Sequence, residues 1–253
     1  MTDSVSVRTG IKLRRLIWRV ATVTAIREET VSARTLMLDV PEWPGHLAGQ
    51  HVDVRLTAED GYSTQRSYSL ASDPSAVELM VQRVSRGEVS PYLCDVAGVG
   101  DQFELRGPVG GYFTWSPDRT EPVLLVAGGS GIAPLMAMIR TRAAAGSRVP
   151  FRLVYSVRDP STVVYGDELA RRVRDDQGLD VTYVYTRETP PGWSRPAGRL
   201  TGTLLAEAGW PAEFEPGSFI CGPTGFVESA ANLLVAAGHA PDRIKTERFG
   251  PTG

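Results

Sequence analysis

The sequence predicts an antiparallel β-barrel followed by a doubly wound α/β sheet, and three observations carry that prediction. Before about residue 119, apolar residues alternate with polar ones in short runs, as they do in strands buried on one face. After it, Val123-Leu124-Leu125-Val126 is an unbroken apolar run, the mark of a strand buried on both faces. Strand-like and helix-like stretches then alternate towards the end of the chain, which is the order that builds a parallel sheet.

Residues 1–15 lack periodicity and are expected to form a loose N-terminal arm. Residues 16–119 are expected to form the barrel domain and residues 120–253 the α/β domain. Within the barrel, Arg34 to Val40 puts Leu36, Leu38 and Val40 on one face, and His51 to Leu56 does the same with Val52, Val54 and Leu56. Pro41, Pro44, Gly45 and Gly49 punctuate the chain between them. Val77 to Val84 and Gln102 to Leu105 are further strands. One short helix is expected after the Gly87-Glu88-Val89-Ser90 turn, with Ser90 as N-cap and Pro91 in the first helical position. Five or six such strands with one helix suggest a small closed barrel.

In the second half a helix carries Leu135, Met138 and Ile139, and a strand runs from Arg152 to Val157. A helix at about Asp167 to Arg174 and a strand at Val181 to Tyr185 follow. Then come a helix near Thr203 to Ala208, a strand at Ser218 to Cys221 and a helix at Phe226 to Ala237.

Composition excludes several classes of function. Hydrophobic content of 42% supplies real cores, and a net charge of -2 offers no basic field to nucleic acid. Cys94 and Cys221 are too few for a metal cage or an iron–sulfur site, and His46, His51 and His239 show no ligand spacing, so no metal site is expected. Arg14-Arg15 has the form of a twin-arginine export signal, but Arg19 interrupts the apolar run that must follow. No stretch reaches the roughly 18 apolar residues of a membrane span. A soluble, cytoplasmic protein with no membrane partner is expected.

The segments that can carry chemistry are short. In Arg66-Ser67-Tyr68-Ser69, an extended chain puts Arg66 and Tyr68 on one face, where a guanidinium can fork onto phosphate while the phenol lies against a ring system. Ser69, on the other face, can bond a ring edge. Gly128-Gly129-Ser130-Gly131-Ile132-Ala133-Pro134 joins a buried strand to a helix, where glycines let phosphate approach free N–H groups at a positive dipole end. It departs from the Gly-x-Gly-x-x-Gly fingerprint. Arg83, in line with Leu79 and Val81, is expected on a strand face that suits a charge only if an anion lies there. Cys221-Gly222-Pro223 ends a strand at the edge where doubly wound folds bind ligands, and a buried structural cysteine is the simpler account of Cys221. Glu247-Arg248-Phe249 sets an acid and an aromatic two apart near the terminus, as on a ligand-facing strand.

In this order the segments resemble the ferredoxin–NADP reductase family, flavoproteins with a flavin-binding barrel followed by a nicotinamide-nucleotide domain. The resemblance covers roughly residues 18–250. It implies that Arg66 binds the flavin phosphate, Tyr68 stacks on the isoalloxazine and Ser69 approaches its N5. It implies too that Ser67 shares in the flavin site, and that Val81, Gln82 and Arg83 with Gly87, Val89 and Ser90 hold the rest of an FAD. Gly129, Ser130 and Gly131 would take the nucleotide phosphates. Cys221, with Gly222 and Pro223, would lie near the nicotinamide, and Glu247 would position it or relay a proton. Phe249 matches a tyrosine that covers the flavin face in plant members, and Gly250 to Gly253 follow it here. Thr186-Arg187-Glu188 resembles the Ser-Arg-Glu of NADPH-using members, and Arg158 can join it, so NADPH is expected over NADH. The implied activity passes hydride to FAD and single electrons to a separate carrier: a ferredoxin, flavodoxin, haem protein or oxygenase component. An NAD(P)H:flavin reductase and a non-catalytic flavin electron-transfer subunit are the alternatives.

Overall fold

The computed structural model describes residues 16–250; the expected arm, with the Arg14-Arg15 pair, lies outside them. The first half is a sheet of six strands: β1 (Trp18–Thr30), β2 (Ala33–Asp39), β3 (His51–Thr57), β4 (Ser63–Ser69), β5 (Val77–Gln82) and β6 (Gln102–Val109). They pair antiparallel in the order β4-β3-β6-β1-β2-β5. The ends of that order meet at a bridge between Leu70 and Leu79, beside which the Ala71 N–H donates to the Glu78 carbonyl at 2.9 Å. Alternation explains the barrel: Leu36, Val52, Val54, Leu79, Val81 and Leu105 point inwards and are fully buried in one core. Ser63–Ser69 pairs on one side only, with β3, so the barrel is open along most of β4.

Two local expectations are corrected here. The barrel helix begins as α1 (Val89–Pro91) and continues as a π-helical turn, Tyr92–Val96. Ser90 lies inside it and Glu88 occupies the cap position; the Ser90 hydroxyl instead accepts the Val84 N–H at 3.1 Å, folding the loop after β5 back on itself. Arg83 is not on a strand face, because β5 ends at Gln82. Its Nε lies 2.6 Å from Asp95 Oδ2 at the surface, so the charge has a partner and requires no anion.

The second half is a parallel sheet of β7 (Val123–Gly128), β8 (Phe151–Val157), β9 (Leu179–Tyr185), β10 (Gly217–Pro223) and β11 (Ile244–Phe249), in the order β11-β10-β7-β8-β9. Helices α2 (Ile132–Ala144) and α3 (Gly166–Asp175) pack on one face, and α4 (Gly202–Ala208) and α5 (Thr224–Ala236) on the other. Residues 244–249 therefore form a paired strand. β11 is mostly polar because it is an edge strand, held on one side by β10 and anchored by buried Ile244. One apolar core runs through both halves: Ala71, Met80, Phe113 and Trp115 pack with α2 and the strands beneath it, and Trp115 meets Phe151 edge-on at 5.0 Å. None of the described helices is long and apolar enough to cross a membrane.

Candidate functional site

Parallel strands bring their C-terminal ends to one edge, and the candidate residues of the second half collect there. In the β7–α2 turn the glycines differ in what they do. A side chain at Gly131 would run into the Cys221 carbonyl, and one at Gly128 or Gly222 would meet the Phe226 ring within 3 Å. These three are glycine because two strand ends and an aromatic ring close on each other. Gly129 is different: its φ is +54° and nothing lies within 4 Å of where a side chain would start. It faces open space at the start of α2, with Ser130 half-buried beside it. One strand over, the Thr186 N–H donates to the Val157 carbonyl (2.9 Å) and the Arg187 N–H to the Arg158 carbonyl (2.8 Å). Arg158 and Arg187 thus leave adjacent backbone positions, both exposed.

On the barrel side, register sorts the Arg66–Ser69 tetrad as alternation predicts. Arg66 and Tyr68 lie opposite Val54 and Val52, while Ser67 and Ser69 lie opposite Asp53 and His51 on the outer face. Tyr68 packs against the barrel core, and burial pushes its phenol well up, so it stays neutral. Arg66 is exposed, and among the described residues its one hydrogen-bond partner is its neighbour's carbonyl, Gln65, at 2.7 Å. The Gly87–Ser90 turn lies alongside the unpaired edge of β4, tied by the Tyr62 hydroxyl donating to Glu88 at 3.1 Å. Val81 and Val89 are fully buried, and the Gln82 amide is engaged by Ser32 at 2.7 Å.

The two halves meet at Ser69, whose hydroxyl donates to Glu247 Oε1 at 3.2 Å. Glu247 stands in register with Cys221, and Phe249 with Pro223. Burial raises the Glu247 carboxyl above its ordinary range, with the Ser69 hydrogen bond pulling the other way. Cys221 is 1% exposed, and burial first, then the Glu247 charge, pushes its thiol well up. It is a neutral, apolar filler beneath the site and not a nucleophile. Phe249 is 39% exposed, free to cover a flat ligand.

His51 belongs to this group and the sequence reading passed it over. It stands directly across the ladder from Ser69, half-buried, and among the described residues its ring makes no hydrogen bond. Burial lowers its pKa while Asp53, two residues along, pulls it up. Asp53 accepts from Ser67 (2.7 Å) and Arg106 (2.7 Å), bonds that outweigh its burial and hold it below the usual carboxylate range. A search for metal-ligand spacing has no means of finding His51. Its signal is its strand partner, which only the register reveals.

An open barrel edge joined by the Ser69–Glu247 hydrogen bond to the carboxyl edge of a parallel sheet defines a class of two-domain, nucleotide-binding oxidoreductase. An oxidoreductase FAD-binding domain matches residues 20–114, and an oxidoreductase NAD-binding domain matches residues 125–232. The chain belongs to the ferredoxin–NADP reductase family, and FAD and a nicotinamide nucleotide are its cofactors. It is 34% identical over 241 residues to the ferredoxin reductase component of 3-ketosteroid-9-alpha-monooxygenase from Mycolicibacterium smegmatis, matching 90% of this chain and 64% of that one. It is 31% identical over 239 residues to the ferredoxin–NAD(P)(+) reductase component of naphthalene 1,2-dioxygenase/salicylate 5-hydroxylase systems from a Ralstonia species, matching 92% and 69%. The structure superposes on the Amycolatopsis cytochrome P450 reductase GcoB with a TM-score of 0.82 and 27% identity, covering 94% of this chain and 71% of the other. The chain thus spans just under two thirds of the length of the first of these relatives. The residues present fit an FAD: an exposed guanidinium, Arg66, and a core-packed phenol, Tyr68, lie on a strand edge that has no partner strand.

Proposed function

We propose that this protein takes hydride from NADPH onto FAD and hands single electrons to a separate protein acceptor, a ferredoxin, flavodoxin, haem protein or oxygenase component. The observation that carries this reading is the Ser69–Glu247 hydrogen bond, which joins the two halves where a flavin and a nicotinamide must meet. FAD, when bound, accepts a hydride and releases its electrons one at a time. The protein's part is to bind and orient. Arg66 takes the flavin phosphate, Tyr68 and Phe249 flank its ring, and Ser67 completes the strand. Backbone at Val81, Gln82 and Arg83 and the Gly87, Val89 and Ser90 turn holds the remainder of the FAD. Gly129, Ser130 and Gly131 cradle the nucleotide phosphates, and Cys221, Gly222 and Pro223 form the floor under the nicotinamide. A hydride carries one proton with two electrons. With a flavin bound, the Ser69 hydroxyl would take up that proton as its own moves along the hydrogen bond to Glu247 Oε1.

Arg187, with Arg158 and Thr186, selects NADPH by bonding the 2′-phosphate. A charge-assisted bond of about 1.5–3 kcal/mol sets a preference of roughly 10- to 150-fold over NADH. Relatives named as reductase components of oxygenase systems support a protein acceptor. The test is the visible spectrum of the purified protein before and after anaerobic NADPH, then kcat/KM for both nucleotides. A yellow protein bleached by NADPH, with Arg187→Ala erasing the preference, is the expected result. A protein colourless after reconstitution with FAD ends the reading, and a higher kcat/KM for NADH ends the NADPH assignment.

A further inference from the structure

The apolar core shared by the two halves is held by a non-directional force, which favours contact without by itself naming one angle. The angle between barrel and sheet depends on directional contacts, and beside the Ser69–Glu247 and Tyr165–Thr35 bonds one buried guanidinium bonds both sides. Arg140 lies on α2, nine residues after Gly131, so it stands roughly 13 Å along the same helix whose first turn faces the nucleotide. Its side chain is 8% exposed. Towards the barrel, Nη1 donates to the Ala71 carbonyl (2.9 Å) and to Glu78 Oε2 (2.8 Å). Towards α3, Nε and Nη2 fork onto the Glu168 carboxylate (3.0 and 2.6 Å). The guanidinium also sits 4.9 Å from the centre of the Tyr165 ring. Tyr165 is held in turn from the barrel. The Thr35 hydroxyl gives its proton to Glu29 (2.7 Å), so the Tyr165 hydroxyl donates to Thr35 (3.1 Å).

The barrel atoms that Arg140 holds are well placed to matter. Ala71 follows Ser69 by two residues, and its N–H bonds Glu78 at the point where the barrel closes. One rigid side chain therefore ties the nucleotide helix to the end of the strand that carries Ser69. A buried charge with its donors filled from both sides tolerates one arrangement, because sliding by a bond length strands a charge out of water. Orientation at the reacting atoms is steep: displacement by about 1 Å costs on the order of 100-fold in rate.

We propose that Arg140 is a positioning residue for hydride transfer, fixing the angle between barrel and nucleotide sheet and thereby the Ser69–Glu247 separation. The hydride half of this rests on the flavin and nicotinamide reading above; the orientation half does not. Two measurements keep them apart. Residual dipolar couplings on the protein without flavin report the relative orientation of the halves. They are expected to show one fixed angle in the parent, and a changed or averaged one in Arg140→Met. The surface-pair control Arg243→Gln should keep the parent angle. Stopped-flow reduction of the FAD-loaded protein by NADPH is expected to slow about 100-fold in Arg140→Met, with FAD affinity within threefold of the parent. Arg140→Lys, which keeps charge but loses the fork, should recover less than a tenth of the lost rate. Glu78→Gln, which leaves the Glu168 fork intact, decides the matter if Arg140→Met does not fold, and should shift the angle in the same sense. An unchanged angle in these variants, or a hydride rate within threefold of the parent with the angle changed, overturns the proposal. A parent that NADPH does not bleach overturns the reading of the site, and leaves the orientation result standing.

Discussion

Glu247 binds a proton more tightly when folded than when unfolded, since burial outweighs its hydrogen bond from Ser69. The sign of its effect on stability follows. The contribution is fully present below the unfolded pKa of the carboxyl and is lost as pH rises through the raised folded value. Glu247→Gln, neutral at every pH, is expected to melt higher than the parent at pH 8 and close to it at pH 4, as thermal unfolding at the two pH values will show. The same hydrogen bond makes a kinetic prediction. Ser69→Ala and Glu247→Ala each remove it, so their effects on single-turnover hydride transfer should be non-additive, with a coupling of about 0.5–3 kcal/mol. Additive losses would mean the two side chains act separately. At this scale the sequence made each residue legible as a candidate, because Arg-x-Tyr-Ser and Glu-x-Phe are local patterns. The contact between them joins residues 178 apart, and His51 enters only through its strand partner. Neither is a local property.

At the scale of the element, the β7–α2 turn separates packing from binding. Gly131→Ala forces a methyl into the Cys221 carbonyl and should destabilise by about 1–3 kcal/mol, the cost of overpacking a tight contact. Gly129→Ala meets no atom but holds a left-handed φ, costing about 1–2 kcal/mol, and crowds the open space where a phosphate would lie. Denaturant melts and titration with NADP+ should therefore diverge. The first variant is expected to lose mainly stability, and the second to lose affinity beyond what its stability explains. Strands and helices were legible wherever burial imposed a period, as in β2 and β3, or a continuous apolar run, as in β7. The misses share one cause. Arg83 and Ser90 sit where the chain leaves a periodic element, and there a loop hydrogen bond such as Val84 N–H to Ser90 decides the geometry. Edge position hides β11, since a strand paired on one side can be nearly all polar.

Across the whole molecule, a continuous core and a neutral set of charges bind barrel to sheet. Arg27, Arg140 and Arg172 stand against Glu29, Glu78 and Glu168, all within one connected cluster. Because the core is shared, calorimetry should show one cooperative transition, and two separated transitions would contradict that continuity. Acid should attack the seam first. Burial alone would raise the Glu168 carboxyl from 4.5, but hydrogen bonds and charge from Arg140, then Arg172, hold it at about 2. A depressed carboxyl contributes stability that is complete above its unfolded pKa and drains away as pH falls through the folded one. The window therefore runs from about pH 4.5 down to about pH 2, and the amount at stake is on the order of 3 kcal/mol. Glu168→Gln is expected to be less stable than the parent at pH 7, by about 3–5 kcal/mol, because it leaves a buried guanidinium short of its partner. It should also lose much of the parent's slope between pH 4.5 and 2 in urea unfolding. A variant that keeps the full slope would show that other carboxylates, not this clamp, make the seam sensitive to acid.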